Sequence, residues 1–145
     1  MLKRSNYIAV VILLAFASGC ERGPLPTYRA GGKVVYCDGT PVAGGLVVFQ
    51  VIDGPKPTSA RGTIEPDGSF RLSTFKTGDG AIEGEHRAAI IPKALGPEVD
   101  RDEVRRLPPK SISGKFSDFN TSGLTFSVSR QPSQNNFEIT VDRAE

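Results

Sequence analysis

Apolar and polar residues alternate over several short stretches of this chain. In the clearest of them, Phe70 and Leu72 are separated by Arg71 and bounded by serines. Two stretches near the C-terminus, residues 123–129 and 136–142, repeat the same two-residue period. Because successive side chains of a β-strand point to opposite faces, this period predicts strands with one buried face and one solvated face.

Turn-forming residues separate these stretches. The segment CDGTP, residues 37–41, divides two runs rich in valine and aromatic residues, and EPDG, residues 65–68, precedes the Phe70 strand. Proline and glycine in such segments favour β-turns. A further strand, residues 86–91, ends at Pro92, which cannot donate a ladder hydrogen bond. About seven short strands with turns between them predict an all-β, antiparallel β-sandwich.

The strand pattern lapses between residues 92 and 118. Within this region the segment PEVDRDEVRRL, residues 97–107, places acids before arginines. That order complements the dipole of a helix. We therefore predict a short helical insertion at residues 97–107.

The first twenty residues have the features of an export signal. Lys3 and Arg4 precede an uninterrupted apolar run, residues 7–17, which is too short to span a bilayer comfortably. Small residues then lead to Cys20 in the sequence ASGC. This resembles the lipobox of bacterial lipoproteins, which implies cleavage before Cys20 and attachment of a diacylglyceryl group to its sulfur. Ordinary secretion with a Cys20–Cys37 disulfide, and an uncleaved membrane anchor, are the alternatives.

These features divide the chain into three parts. Residues 1–19 are interpreted as a signal peptide of the lipoprotein type, residues 20–29 as the anchor cysteine and a tether, and residues 30–145 as one domain. Without Lys3 and Arg4, the basic residues equal the 16 acids in number. No basic cluster remains in the mature chain, so nucleic-acid binding has no electrostatic footprint there.

Four segments, taken in order, resemble bacterial lipoproteins with a carboxypeptidase regulatory-like domain. They are residues 32–49, 60–75, 78–92 and 115–128. The resemblance implies a transthyretin-like (prealbumin-like) Greek-key sandwich and a location in the cell envelope. The predicted helix at 97–107 departs from this pattern and is treated as an insertion. In carboxypeptidases this domain accompanies a separate catalytic domain, so the resemblance implies a fold and a location but no reaction.

The chain offers few residues from which to build a catalytic or metal site. His86 is its only histidine, and its phase with Ala88 and Ile90 predicts a position on the buried face of a strand. A serine nucleophile would need a general base, and Zn²⁺ would need three or four ligands, which Cys37 and His86 do not supply. We therefore predict no catalytic residue, no metal site and no cofactor.

The glycine-rich segment 76–85 is the first candidate ligand loop. It contains Asp79, Glu83 and Glu85, whose carboxylates are the hard oxygen ligands that Ca²⁺ prefers. The residue spacing of an EF-hand calcium loop is absent, and glycines alone explain a turn here. The segment is thus a weak calcium candidate.

The segment 107–123 is the second candidate ligand loop. It contains Phe116 and Phe119, the best candidates for exposed aromatic platforms of the kind that bind sugars. The favoured expectation is nevertheless that KFSDF, residues 115–119, packs over one end of the sandwich.

Cys37 falls on the outward phase of its strand, opposite to Val34 and Tyr36. If Cys20 carries lipid, Cys37 is an odd thiol in an exported chain. It is interpreted as a tolerated surface cysteine or as one half of an intermolecular disulfide.

The sequence as a whole favours a lipid-anchored β-sandwich of the cell envelope, a non-enzymatic structural or protein-interaction module. Its predicted partners are the membrane, through Cys20, and an unidentified envelope protein or polysaccharide. The alternative is a lipoprotein that binds carbohydrate, a small ligand or calcium through the loops 76–85 and 107–123. An aspartate after the lipidated cysteine would favour the inner membrane, so Glu21 slightly favours the outer membrane.

Overall fold

The computed structural model describes residues 24–93 and 112–144. Nine β-strands lie within these ranges, together with the 3₁₀ turns Gly114–Ser117 and Pro132–Gln134. In chain order the strands are β1 Thr27–Tyr28, β2 Gly31–Tyr36, β3 Leu46–Val51, β4 Ser59–Thr63, β5 Ser69–Arg71, β6 Ala81–Ile82, β7 Gly84–Ile91, β8 Leu124–Val128 and β9 Asn136–Val141.

The longer strands form two sheets. Strands β4, β3, β7 and β8 lie side by side in that order in an antiparallel sheet, and β5, β2 and β9 form a three-stranded sheet. The two-residue strands β1 and β6 pair with each other. The predicted all-β sandwich is therefore confirmed, and seven strands of three or more residues occur in its described part.

One pair of strands differs from the antiparallel expectation. Strands β2 and β9 run parallel, from Gly31 opposite Asn136 to Tyr36 opposite Val141. Parallel neighbours cannot be joined by a hairpin and need a long crossover connection. Here the crossover is the whole chain between β2 and β9, a long-range pairing that local alternation does not reveal.

The inward-facing residues of both sheets form one apolar core around Phe49. This residue is fully buried on β3. Its ring centroid lies 5.2 to 6.4 Å from those of Phe70, His86, Phe126 and Phe137. Rings at such distances add specific contacts to the area that they bury. Phe49 therefore joins side chains from both sheets.

The alternation predicted around Phe70 is confirmed. Phe70 is 3% exposed and Leu72 is fully buried, whereas Arg71 between them is exposed. The turn before them has the expected glycine conformation, with Gly68 at φ 84°. Asp67 closes it by accepting the backbone N–H of Ser69 at 2.9 Å.

The two ends of the sandwich are distinguished by the strand register. At one end, β1 leads into β2 at Gly31, and Tyr28 of β1 pairs with Ala81 just before β7. Strand β7 begins at the same end, where Gly84 pairs with Val128. We call this the proximal end, since it receives the N-terminal segment. The opposite end, which contains the C-terminal residues of β2, β7 and β9, is the distal end.

Several sequence predictions concern residues outside this description. The predicted signal peptide at 1–19, the anchor Cys20 and the predicted helix at 97–107 all lie beyond the described ranges. In the described part of the chain, no helix is long and apolar enough to cross a membrane.

Candidate functional site

The loop between β5 and β6 is organised by one carboxylate. Asp79 accepts hydrogen bonds from the backbone N–H groups of Thr74 at 2.7 Å, Phe75 at 3.0 Å and Lys76 at 2.9 Å. Partial burial alone would raise the pKa of Asp79, but these three donors together hold that pKa below its usual value. The ionised carboxylate therefore shapes the loop from within.

Hydroxyl groups and a close backbone approach fix the ends of this loop. Gly78 donates its N–H to Ser73 Oγ at 2.8 Å, and Thr74 Oγ1 donates to the Gly80 carbonyl at 2.7 Å. Gly80 has φ 92°, and a Cβ at this position would lie 1.8 Å from the carbonyl oxygen of Tyr28. Only glycine fits there, so the loop is held directly against β1.

The fixed loop presents an aromatic side chain to solvent. Phe75 is 51% exposed, and Lys76 beside it is exposed as well. Ile52, just beyond β3 at the same proximal end, is 44% exposed. Sequence reasoning missed Phe75 because its exposure depends on the turn that Asp79 imposes. The sequence feature that could have indicated an exposed Phe75 is the segment TFK, residues 74–76, followed by Asp79, a residue type that caps turns.

The three predicted loop acids do not converge on a common point. Asp79 faces its own loop, Glu83 forms an ion pair with Arg130 at 2.9 Å, and Glu85 is exposed on β7. Among residues 24–93 and 112–144, no group of three or more His, Cys, Asp or Glu side chains could hold a metal ion. The structure therefore gives these carboxylates separate roles.

The second predicted loop lies at the other end of the sandwich. In its described part, Ser117 donates to the Ile90 carbonyl at 3.3 Å and Ser122 donates to the Ala88 carbonyl at 2.6 Å. These contacts are on the C-terminal half of β7, whereas the segment 76–85 leads into the start of that strand. Along β7 these contacts lie roughly 13 to 20 Å from Gly84, where the strand begins, so the described residues of the two candidate loops form no common site.

The two candidate aromatic residues of this loop have different surroundings. Phe116 is buried and belongs to the apolar core, which agrees with the expectation that this segment packs over the sandwich and not with an exposed platform. Phe119 is half-buried, and the guanidinium carbon of Arg87 lies 5.9 Å from its ring centroid. Arg87 also donates to Gln50 at 3.2 Å and Asn120 at 3.3 Å, which ties the loop to the outer face of the sheet.

His86 occupies the core position that its phase predicts. It is 1% exposed, with its ring centroid 6.0 Å from that of Phe49. Its Nδ1–H donates to the Gly84 carbonyl at 2.9 Å, which fixes the tautomer because a carbonyl only accepts. Burial lowers the pKa of His86, so the neutral imidazole is favoured.

Asn135 holds the proximal end together, and sequence reasoning missed it. This buried side chain donates from Nδ2 to the carbonyls of Arg29 at 3.1 Å and Ser129 at 2.8 Å. Its Oδ1 accepts the backbone N–H of Ser129 at 2.8 Å. Asn135 thereby joins the segment before β2 to the connection between β8 and β9.

Cys37 lies exposed at the distal end, as its outward phase predicts. Its thiol donates to Asp142 Oδ1 at 3.0 Å, and Asp142 also pairs with Lys115. The hydrogen bond to Asp142 raises the pKa of Cys37 and so disfavours the thiolate, which is the reactive form.

Compared with known proteins, the chain matches no family model, no curated protein and no solved structure. The resemblance to lipoproteins with a carboxypeptidase regulatory-like domain therefore stays a prediction.

Proposed function

We propose that this protein is a lipid-anchored β-sandwich of the cell envelope that acts as a non-enzymatic structural or protein-interaction module. The export signal and the ASGC sequence support anchoring at Cys20. The described fold is compatible with that anchor, since strand β1 begins at Thr27, a short tether beyond Cys20. The outer membrane is the favoured location.

The observation that carries the non-enzymatic proposal is how the candidate reactive groups are used. His86 is packed in the core, Asp79 accepts three backbone N–H groups, and Glu83 pairs with Arg130. Catalysis by these residues would require them to reach a substrate, whereas His86 is enclosed by the core and the carboxylates of Asp79 and Glu83 are already engaged by donors of the protein.

We further propose that the sandwich is of the Greek-key, transthyretin-like type. Its support is the connectivity, in which the chain moves between the sheets several times. Strand β2 lies in the three-stranded sheet, β3 and β4 in the four-stranded sheet, β5 in the first again, β7 and β8 in the second, and β9 in the first. Connections that alternate between two sheets in this way are typical of Greek-key sandwiches.

Metabolic labelling with a fatty acid, followed by membrane fractionation, tests the anchor. The wild-type protein should carry label and require detergent for extraction, and Cys20→Ser should lose both properties. Cys37→Ser is the matched control and should behave as wild type. Label on the Cys20→Ser protein would contradict the proposal.

Crosslinking in intact cells tests the interaction module. The wild-type protein should yield adducts with one identified envelope protein, and the purified partner should bind the purified protein saturably. Calorimetric titration of the same preparation with calcium should give no specific heat. Stoichiometric calcium binding that is lost in the triple variant Asp79→Asn, Glu83→Gln, Glu85→Gln would contradict the proposal and favour a ligand-binding lipoprotein.

A further inference from the structure

The proximal end carries apolar and basic side chains on the side from which the N-terminal segment emerges. We propose that this surface, composed of Arg29, Ile52, Arg71, Phe75 and Lys76, is a second membrane-contact site that seats the domain on an anionic lipid bilayer. The inference rests on the proposed anchoring at Cys20. Lipid at Cys20 would tether the chain, and this surface would set how the sandwich is oriented on the membrane.

The length of the tether brings this surface near the bilayer. Strand β1 begins at Thr27, so six residues, and thus seven Cα–Cα steps, separate it from Cys20. Fully extended, such a segment spans at most roughly 25 Å, about the size of the domain itself. The loop that presents Phe75 is fastened to this strand through Gly80 and Tyr28. Anchoring therefore keeps β1, and with it the Phe75 loop, within roughly one domain diameter of the headgroups.

The exposed side chains match a bilayer interface. Phe75 and Ile52 are two of the three exposed large hydrophobic residues in the described chain; the third, Ile91, lies at the distal end. Aromatic and aliphatic tips next to basic residues are favoured at the boundary between headgroups and acyl chains. Lys76 directly follows Phe75, so a positive charge would lie at headgroup depth when the ring inserts.

Two arginines extend the positive character of the surface. Arg29 and Arg71 line a groove of about 490 Å³, together with Gly31 and Gly32. Arg71 lies directly opposite Gly31, which has no side chain, in the sheet register. Neither arginine forms a salt bridge within the described residues. Both guanidinium groups are therefore available to lipid phosphates.

The acids at this end weaken the positive charge only in part. Glu83 is paired with Arg130, and the carboxylate of Asp79 is taken up by three backbone donors. Asp53 and Glu85 are exposed beside Ile52, whose backbone N–H donates to the Glu85 carbonyl, and neither of them lines the groove. The positive groups thus concentrate around Phe75 and the groove.

The Phe75 loop is already ordered before it meets a membrane. Asp79, Ser73 and Thr74 fix its backbone. An ordered loop loses little conformational freedom on binding, which favours insertion of an exposed ring. The structural role of Asp79 and the exposure of Phe75 are explained together by this arrangement.

Single-tryptophan fluorescence tests the proposal, since the chain contains no tryptophan. Full-length protein bearing Phe75→Trp would be processed in bacteria, purified and reconstituted into vesicles of phosphatidylcholine with phosphatidylglycerol. An inserted indole lies roughly 5–10 Å below the headgroup boundary, so its emission should shift to the blue and be quenched by lipids brominated near the top of the acyl chain. Ile91→Trp is the matched control at the distal end and should show neither effect.

Charge variants separate the contribution of the basic residues to membrane contact from that of the side chain at position 75. Adding Arg71→Gln and Lys76→Gln to Phe75→Trp should reduce quenching in anionic vesicles and leave it unchanged in phosphatidylcholine alone. Moderate salt should reproduce the loss, because it screens exposed charges. Arg61→Gln, which removes a basic side chain from β4, is the control and should leave the quenching unchanged.

Vesicle flotation distinguishes failure of this site from failure of the anchor. Wild-type protein that does not float with neutral vesicles overturns the anchor and the membrane-contact site with it. Protein that floats while the Phe75→Trp indole is quenched no more than the Ile91→Trp indole overturns the membrane-contact site alone. The same holds if the Phe75→Trp emission shifts only when a purified envelope protein is added, since the occupant would then be a protein.

Discussion

The core around Phe49 and the loop that presents Phe75 are both well fixed, but by different kinds of interaction. Phe49 is held by ring contacts with four aromatic neighbours from both sheets. The loop is held by the carboxylate of Asp79 and by two hydroxyl groups. The core excludes water, whereas the loop carries one of the most exposed apolar rings of the described chain.

The contrast shows how one small domain can combine a stable frame with a rigid exposed feature. In the core, stability depends on volume and close packing, so many residues contribute to it. In the loop, the conformation depends on one carboxylate, because it accepts hydrogen bonds from three backbone N–H groups that the turn would otherwise leave without partners. A substitution in the loop should therefore disorder only the loop, whereas a substitution in the core should lower the stability of the whole domain.

The largest effect is expected for Phe49→Ala. Truncation of a buried phenylalanine typically costs about 3–5 kcal/mol, because it removes apolar contacts and leaves a cavity. Val48→Ala, one residue earlier on the outward phase of β3, should cost about 1 kcal/mol or less. Chemical denaturation of both variants measures the difference, and equal losses would contradict the assignment of the two faces.

Asp79→Ala should have an intermediate effect that is concentrated in the loop. It removes the acceptor of three backbone hydrogen bonds, and the expected cost is about 1–3 kcal/mol. Hydrogen exchange should speed up at Thr74, Phe75 and Lys76 and stay slow in the β3 core. Asp53→Ala is the control and should leave exchange unchanged; uniform acceleration in the Asp79 variant would contradict local failure.

A smaller effect is expected in the pH dependence of the unfolding free energy, through the buried His86. Burial lowers the pKa of His86 in the folded state, so below its ordinary value of about 6.5 the unfolded chain binds a proton that the folded chain does not. Its contribution to stability is thus present above that pH and is lost as the pH falls below it. Denaturation between pH 7.5 and 5 should show this loss in the wild type, and His86→Phe should fold and show a flatter profile. An unchanged slope in His86→Phe would contradict the role given to this residue.

The smallest effect on stability is expected for Phe75→Ser. The ring is half exposed and lies outside the core, so the change in unfolding free energy should stay within about 0.5 kcal/mol. Melting curves compared with those of Ile91→Ser, the matched exposed residue, measure this. A large loss for Phe75→Ser alone would mean that the ring packs as a core residue and does not face solvent.

The sequence predicted the local features of this fold and missed the long-range ones. Alternation around Phe70 placed Phe70 inside and Arg71 outside, and the phase of His86 placed it in the core, because a two-residue period is a local property. The parallel pairing of β2 with β9 and the bridging role of Asn135 depend on residues about a hundred positions apart, which no local pattern encodes.

The candidate site shows the same limit. Asp79 was singled out correctly as a loop residue, and its carboxylate accepts hydrogen bonds from three backbone N–H groups of its own turn. Phe116 was a candidate platform, but the favoured expectation that KFSDF packs over one end of the sandwich agrees with its burial in a 3₁₀ turn. Exposure of Phe75 follows from hydrogen bonds that form only once the turn closes.

The mass of the N-terminal peptide of the mature protein tests the account most directly, because anchoring at Cys20 determines which end of the sandwich meets the membrane. Digestion of protein purified from bacterial membranes with trypsin, which cleaves after Arg22, should release a peptide that begins at Cys20 and carries a diacylglyceryl group. Cys37, at the distal end, should be recovered without lipid. A mature chain that begins elsewhere, or a peptide in which Cys20 is joined to Cys37 by a disulfide, would contradict the account.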